Sequence, residues 1–270
     1  MTDEASPDVV FVHGAWVGPR CWDSFKGLYE KKGLSCLAPS WPFDERPYDA
    51  LRSAPSAELA RVGVGEIVAH YEALLRPMKR QPLLVGHSFG GLFVQMLLDR
   101  GLGSAGVAID SAPPKGVMAT PTAVRAGLGV LLSFFGWRRV LRISRSAFSW
   151  GFVHELDAAA QKRAFDEHVI PTPGRPFFQA AFAPLSSATK VRYDNVERAP
   201  LLLIAGSLDR TVPAAMNRAN FAHYQQHARV REKTAFKEFS GRSHWIIAEP
   251  GWEEVAEHSL DWARSTGAAR

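Results

Sequence analysis

Cysteine is nearly absent from the 270 residues: Cys21 and Cys36 are the whole complement. Two thiols can build neither a disulfide framework nor a cysteine-ligated metal cluster. Neither lies in a catalytic context, so both read as core residues of a chain compatible with a reduced compartment. Long apolar runs are missing too. The best one, around Val124 to Phe135, is broken by Gly, Ser and Arg and falls short of the roughly 18 to 20 residues a membrane span requires. Residues Met1 to Asp8 are acidic and polar, without the basic start and apolar run of a secretory signal, and the expected location is cytoplasmic. Repeats and low-complexity segments are absent. The net charge is +5, but Lys and Arg are scattered rather than blocked, which argues against a nucleic-acid partner. The local exception, Trp137-Arg138-Arg139-Val140-Leu141-Arg142-Ile143-Ser144-Arg145, reads as a solvated basic helix face.

What is present is enough apolar material, 46% of residues, for one large α/β domain or a domain carrying an insertion. Short buried-strand patterns alternate with helical ones. Val9–Val12 ends at His13-Gly14, and residues 20–32 follow with Trp22, Phe25, Leu28 and Tyr29 on one helical side. Residues 34–39 suit a second strand. The prolines at 42, 47 and 55 predict an irregular surface loop over 40–55. A helix is expected over 57–79, broken near Gly63 and Gly65, then strands at 83–87 and 105–110 around a helix. From 115 to 195 the pattern is mainly helical, without a clear strand and rich in large aromatics. Alternation resumes with a strand at 201–205, a helix from Pro213 to Tyr224, a strand at 234–240 and a closing helix over 250–264. Such repetition implies a mostly parallel sheet flanked by helices, with its site at the carboxyl ends of the strands. The expected organisation is a core of residues 1–114 and 196–270 with a helical insertion at 115–195.

The stretch Leu83-Leu84-Val85-Gly86-His87-Ser88-Phe89-Gly90-Gly91 has the form of a nucleophile elbow, a buried strand turning sharply into a helix with a serine at the turn. The competing reading is a serine that merely caps the helix. In the elbow reading the Phe89 backbone N–H, at the helix N-terminus, faces a developing oxyanion. Two further strands end in reactive polar residues, Asp209 within Gly206-Ser207-Leu208-Asp209 and His244 within Ser243-His244-Trp245. A serine hydroxyl needs a general base, and an imidazole in that role needs an acid to fix its tautomer, so Ser88, Asp209 and His244 form the candidate catalytic set. Asp110 also follows a strand and is the rival acid. His87 neighbours the serine but points to the other face of its strand, as a packed histidine. His223 and His227 have metal-ligand spacing on an expected helix but no third ligand, so no metal is assigned.

These three motifs in the order Ser, Asp, His resemble the α/β-hydrolase superfamily, and the likeness covers nearly all of residues 9–265. That resemblance implies an α/β-hydrolase fold with a helical cap at 115–195 and a serine hydrolase that uses no cofactor. His13-Gly14-Ala15-Trp16 is similar to the family's oxyanion turn, which implies the Ala15 N–H as second donor with Trp16 as runner-up. His13 would brace that turn. The implied reaction is cleavage of a carboxylic ester, thioester or lactone of a small to medium apolar acyl group through an acyl-enzyme. Trp16, Phe134, Trp137, Phe178, Phe182 and Trp245 are the expected pocket side chains. A carbon–carbon bond hydrolase or a hydroxynitrile lyase is the alternative enzyme, and no lysine near His244 speaks for the lyase. Serine rather than aspartate at 88 argues against haloalkane dehalogenase and epoxide hydrolase chemistry. A non-catalytic small-molecule receptor is the alternative of another class. The partners expected are a small apolar substrate, no nucleic acid and no membrane span, with a homodimer contact through the aromatics left open.

Overall fold

The computed structural model describes residues 6–182 and 186–268. Most of the polar Met1–Asp8 start therefore lies outside the described residues. In chain order the core opens with β1 (Val9–Val12), α1 (Asp23–Lys31), β2 (Cys36–Leu37), α2 (Tyr48–Ser53) and α3 (Val64–Leu75). It continues with β3 (Leu83–His87), α4 (Phe89–Asp99) and β4 (Ala105–Ile109). Segment 115–195 holds α5 (Pro121–Leu131), β5 (Val140–Leu141), α6 (Arg145–Gly151), α7 (Ala158–His168), β6 (Thr172–Pro173) and α8 (Arg175–Ala181). The chain then forms β7 (Leu201–Gly206), α9 (Ala214–Gln225), α10 (Ala228–Arg231), β8 (Thr234–Phe239) and α11 (Trp252–Ser265).

Six strands form one sheet in the order β2-β1-β3-β4-β7-β8, every neighbour parallel. Each residue of β1, β3, β4 and β7 is buried. That is why these strands read as unbroken apolar runs: covered by helices on their faces, they have no side that water could wet. The edge strands β2 and β8 carry the partly exposed positions. From β1 the chain goes outward to β2, then returns past β1 to lay down β3 and the remaining strands on the other side. The connections leaving β1 and β3 therefore diverge, and a crevice opens at their carboxyl ends.

Local differences from the sequence reading have identifiable causes. The loop over 40–55 contains α2, whose Tyr48 and Leu51 are buried against Ile170, a partner far along the chain. The second strand shrinks to Cys36–Leu37. The basic stretch at 137–145 is not a helix face. It comprises the end of a single 3-10 turn, strand β5 and the first residue of α6. Strand β5 pairs antiparallel with β6, so 115–195 is not purely helical. A two-residue pairing across that separation leaves no periodicity to read. Helix α9 ends at Gln225, so His223 and His227 do not share a helix. Among the described residues no helix is long and apolar enough to cross a membrane.

Within the 40–55 segment Asp44 is buried, and its Oδ1 has no hydrogen-bond partner. Burial raises its carboxyl to about 7. Because the folded value lies above the unfolded one of about 3.9, ionisation opposes folding. The contribution to stability is fully present below about pH 4 and is lost as pH rises through 7. Asp44→Asn is expected to raise the melting temperature above neutral pH, corresponding to at most about 4 kcal/mol, with the gain vanishing towards pH 4. Thermal unfolding across that range checks this; a gain independent of pH would exclude ionisation as its source.

Candidate active site

The strand tips set the height of every polar group in the crevice. Beyond the last sheet pairings, Ser88 N–H donates to Ile109 O at 3.0 Å, Asp110 N–H to Ile204 O at 2.8 Å and Ser207 N–H to Phe239 O at 3.0 Å. Ser88 and Asp110 thus stand one residue past β3 and β4, level with each other. Ser88 adopts φ 56° and ψ −121°. A non-glycine residue reaches that conformation only when its surroundings impose it. Here they do so by contact. A Cβ on Gly90 would lie 1.9 Å from the Val12 carbonyl oxygen, and one on Gly86 would lie 2.2 Å from that of Gly90. The Ser88 hydroxyl makes no capping bond to α4, so the capping role is not what the side chain does.

The imidazole of His244 is fully buried. Its Nδ1–H donates to Asp209 Oδ2 at 2.6 Å, whereas Asp110 Oδ2 is 4.0 Å from the same nitrogen. Asp209 Oδ1 accepts from the N–H groups of Thr211 and Val212 at 2.7 and 2.8 Å, so the carboxylate is held on both sides. With Nδ1 protonated, Nε2 is a bare acceptor, and it has no partner among the described residues. Asp110 accepts from Gly206 N–H at 2.7 Å through Oδ1. Burial, and then the neighbouring Asp209 charge, push its carboxyl far above the usual range. This direction favours the protonated form of Asp110, whose Oδ2 has no hydrogen-bond partner among the described residues.

Two histidines frame this cluster. His87 Nε2–H donates to the His244 carbonyl oxygen at 2.8 Å, and its ring lies 4.6 Å from that of His244. Burial, then the proximity of His244, hold its pKa well below normal, so it is a neutral spacer. His13 is stacked on Trp41, and burial lowers its pKa to about 4. His87, Asp110 and His244 bring ligand-type atoms within 4.8 Å of one another. One atom of each is engaged, His87 Nε2 by the His244 carbonyl, Asp110 Oδ1 by Gly206 N–H and His244 Nδ1 by Asp209. Cys21 and Cys36 sit in the core region, their thiols raised by burial, Cys36 to about 12.

The turn after β1 meets the elbow directly: a Cβ on Gly14 would lie 2.8 Å from Ser88 Cβ. The Trp16 N–H is committed to Thr172 Oγ1 at 2.8 Å. The N–H groups of Ala15 and Phe89 have no acceptor among the described residues. Both residues, with Ser88, border a cavity of about 830 Å³. Its aromatic wall is built from Trp16, Phe89, Trp150, Phe152 and Phe177. Phe177 packs 5.1 Å from both Trp16 and Phe89.

Of the expected pocket side chains only Trp16 borders this cavity. Phe134, Trp137 and Phe182 point outward and are substantially exposed, Phe178 packs on Trp137, and Trp245 is buried against Phe148 and His168. Aromatic content marks the segment but not which of its faces turns inward. Two supporting residues carry no local signal in the sequence. Thr172 is one. The other is Glu249, whose carboxylate accepts from Ser243 N–H at 3.0 Å and from the Ser243 hydroxyl, pinning the loop that carries His244.

A family model described as "Alpha/beta hydrolase family" matches residues 9–258. The chain belongs to the alpha/beta hydrolase family. Solved structures of similar fold include a monoacylglycerol lipase from Paleococcus ferrophilus, with TM-score 0.67 and 20% identity, covering 97% of this chain and 96% of that one. A methylesterase from Arabidopsis gives 0.69 and 13%, covering 95% and 98%. A pyrethroid hydrolase from Sphingobium faniae gives 0.65 and 18%, covering 96% and 98%. No curated protein matches the chain in sequence. The polar groups of interest follow strand ends, with Asp209 hydrogen-bonded to His244 and His87, the neighbour of Ser88, packed 4.6 Å from the His244 ring.

The Thr172 bond gives a direct test. Thr172→Val keeps the side chain's shape but strands the buried Trp16 N–H, and should cost about 1–3 kcal/mol of stability. Thr172→Ser should retain most of it. Urea unfolding of the two variants measures this; equal stability of Val and wild type would remove the bond from any supporting role.

Proposed function

We propose that this protein is a serine hydrolase cleaving a carboxylic ester, or the related thioester or lactone, of a small to medium apolar acyl group. The observation that carries this function is His244: Nδ1–H is held on a doubly anchored Asp209, and Nε2 is buried without a protein partner. In the proposed reaction the Ser88 hydroxyl oxygen bonds to the acyl carbon as its proton passes to His244 Nε2. The electron pair displaced onto the carbonyl oxygen is met by the N–H groups of Phe89 and Ala15, each worth on the order of 100- to 1,000-fold in turnover. Collapse of the tetrahedral intermediate breaks the bond to the leaving group, which takes the Nε2 proton. Water then enters by the same route and releases the acid, restoring Ser88.

Further support comes from the surroundings. The cavity against Ser88 has a mainly apolar lining and, at about 830 Å³, has room for a small to medium acyl group with its leaving group. The structural neighbours bear the names lipase, methylesterase and pyrethroid hydrolase. Residues 115–195 act in this proposal as a cap, since α5, β5, α6 and α8 all contribute to the cavity wall.

A fluorophosphonate probe should label Ser88, and p-nitrophenyl esters of graded chain length should be turned over by the wild type but not by Ser88→Ala. Absence of both signals would leave a binding protein on a hydrolase fold. Asp209→Asn should lower kcat about 10³- to 10⁴-fold by losing the imidazole tautomer. Asp110→Asn, whose amide replaces the donor of a neutral acid, should stay within about tenfold of wild type. A reversal of that order would make Asp110 the operative acid.

A further inference from the structure

The charge of this protein is unevenly placed. Between Ser111 and His154 there is no Asp or Glu, while Lys115, Arg125, Arg138, Arg139, Arg142 and Arg145 lie there. That excess alone is larger than the chain's net charge of +5. The five arginines are all exposed. Among the described residues Arg145 is the only one of them in an ion pair, with Asp166 at 3.6 Å.

The same stretch leaves apolar groups uncovered. Helix α5 runs for 11 residues with a single cation, yet only Val130 on it is buried. Val124, Leu128, Leu132, Phe134, Phe135 and Trp137 are among the large apolar side chains most open to solvent, Phe134 at 79% and Leu132 at 75%. The aromatic groups among them are continuous: Phe134 meets Phe135 at 4.4 Å, Phe135 meets Trp137 at 5.1 Å, and Trp137 meets Phe178 at 5.5 Å. An apolar patch of this kind on a folded protein marks a contact surface. Its position adds to the point, because Val124, Arg125, Leu131 and Arg142 also border the cavity that reaches Ser88.

We propose that α5 and the 132–142 segment form a docking surface for an anionic lipid–water interface. Leu132, Phe134 and Trp137 enter the headgroup region, and Arg138, Arg139 and Arg142 meet the lipid phosphates. Apolar groups centred on a basic rim are the arrangement by which a peripheral surface gains both apolar burial and attraction to anionic headgroups. A second copy of the chain fits less well, since a self-complementary contact would bring the same unpaired arginines face to face. A nucleic-acid strand would need flat aromatic platforms. Here Phe134 and Phe135 meet edge to face at 76°, and α5 offers aliphatic groups instead.

The test uses the full chain carrying Ser88→Ala, so binding is read without turnover and independently of the hydrolase function. It is sedimented with phosphatidylcholine vesicles and with vesicles containing phosphatidylglycerol. The anionic vesicles should bind at least about tenfold more tightly at low salt, and high salt should erase the difference. Phe134→Ser/Trp137→Ser and Arg138→Glu/Arg139→Glu, none of which borders the cavity, should each weaken binding about tenfold or more. In the Ser88 background, turnover of a short water-soluble ester and the melting temperature should stay unchanged. No binding to anionic vesicles would overturn the proposal, as would equal, salt-insensitive binding to both vesicle types or binding that both double variants retain. A dimer in analytical ultracentrifugation that Phe134→Ser/Trp137→Ser abolishes, without vesicle binding, would assign the surface to a second copy instead.

Discussion

The passage of β1, β3 and α4 within van der Waals contact of one another is the constraint on which the crevice depends. Gly90 lies against the Val12 carbonyl and Gly86 against Gly90, leaving no room for a side chain at either position. That closeness forces the chain through a left-handed conformation at Ser88, and the forced turn lifts the hydroxyl away from the helix it would otherwise cap. The strain is held by fully buried strands on both sides, whose apolar packing far exceeds what one unfavourable backbone conformation requires. The bonds from Ser88 to Ile109 and from Asp110 to Ile204 then transmit the position of the elbow to the next two strand ends.

Electrostatically, the interior behind the elbow is arranged so that little charge is buried without an answer. His13 and His87 are driven to their neutral forms by burial, and burial beside Asp209 pushes the Asp110 carboxyl towards its protonated form. The Asp209 carboxylate is surrounded by two backbone N–H groups and an imidazole N–H, and that of Glu249 by the Ser243 N–H and hydroxyl. A second ionised carboxyl at Asp110 would oppose the first across a medium of low dielectric response; a neutral one supplies a donor instead.

Much of this was legible in the residue pattern. The strands β1, β3, β4 and β7 are continuous apolar runs because both of their faces are covered, and the glycines and polar residues at their ends declare the crevice. Asp209 and His244 follow strand ends, and sheet topology rather than distance along the chain brings them to one hydrogen bond. What stayed hidden depends on contacts between distant segments. Helix α2 exists because Ile170 covers it, and Trp16 loses its N–H to a threonine 156 residues away. The aromatic richness of 115–195 was plain, but the inward side belongs to Phe152 and Phe177 rather than to Phe134 or Phe182. In a segment with short helices and no regular sheet, no period tells one face from the other.

Trp16 is gripped from both of its backbone ends by one short piece of the 115–195 segment: Thr172 takes its N–H and the Ile170 N–H bonds its carbonyl at 2.9 Å, while Val17 bridges Val169. Residues 169–172 thus belong mechanically to the floor of the crevice, although they lie within the 115–195 segment. A graft that replaced 115–195 by the corresponding segment of another family member would remove part of the wall beside Ser88. An exchange that kept 169–172 and swapped only α5 to β5 would alter what the outer surface touches and leave that floor intact.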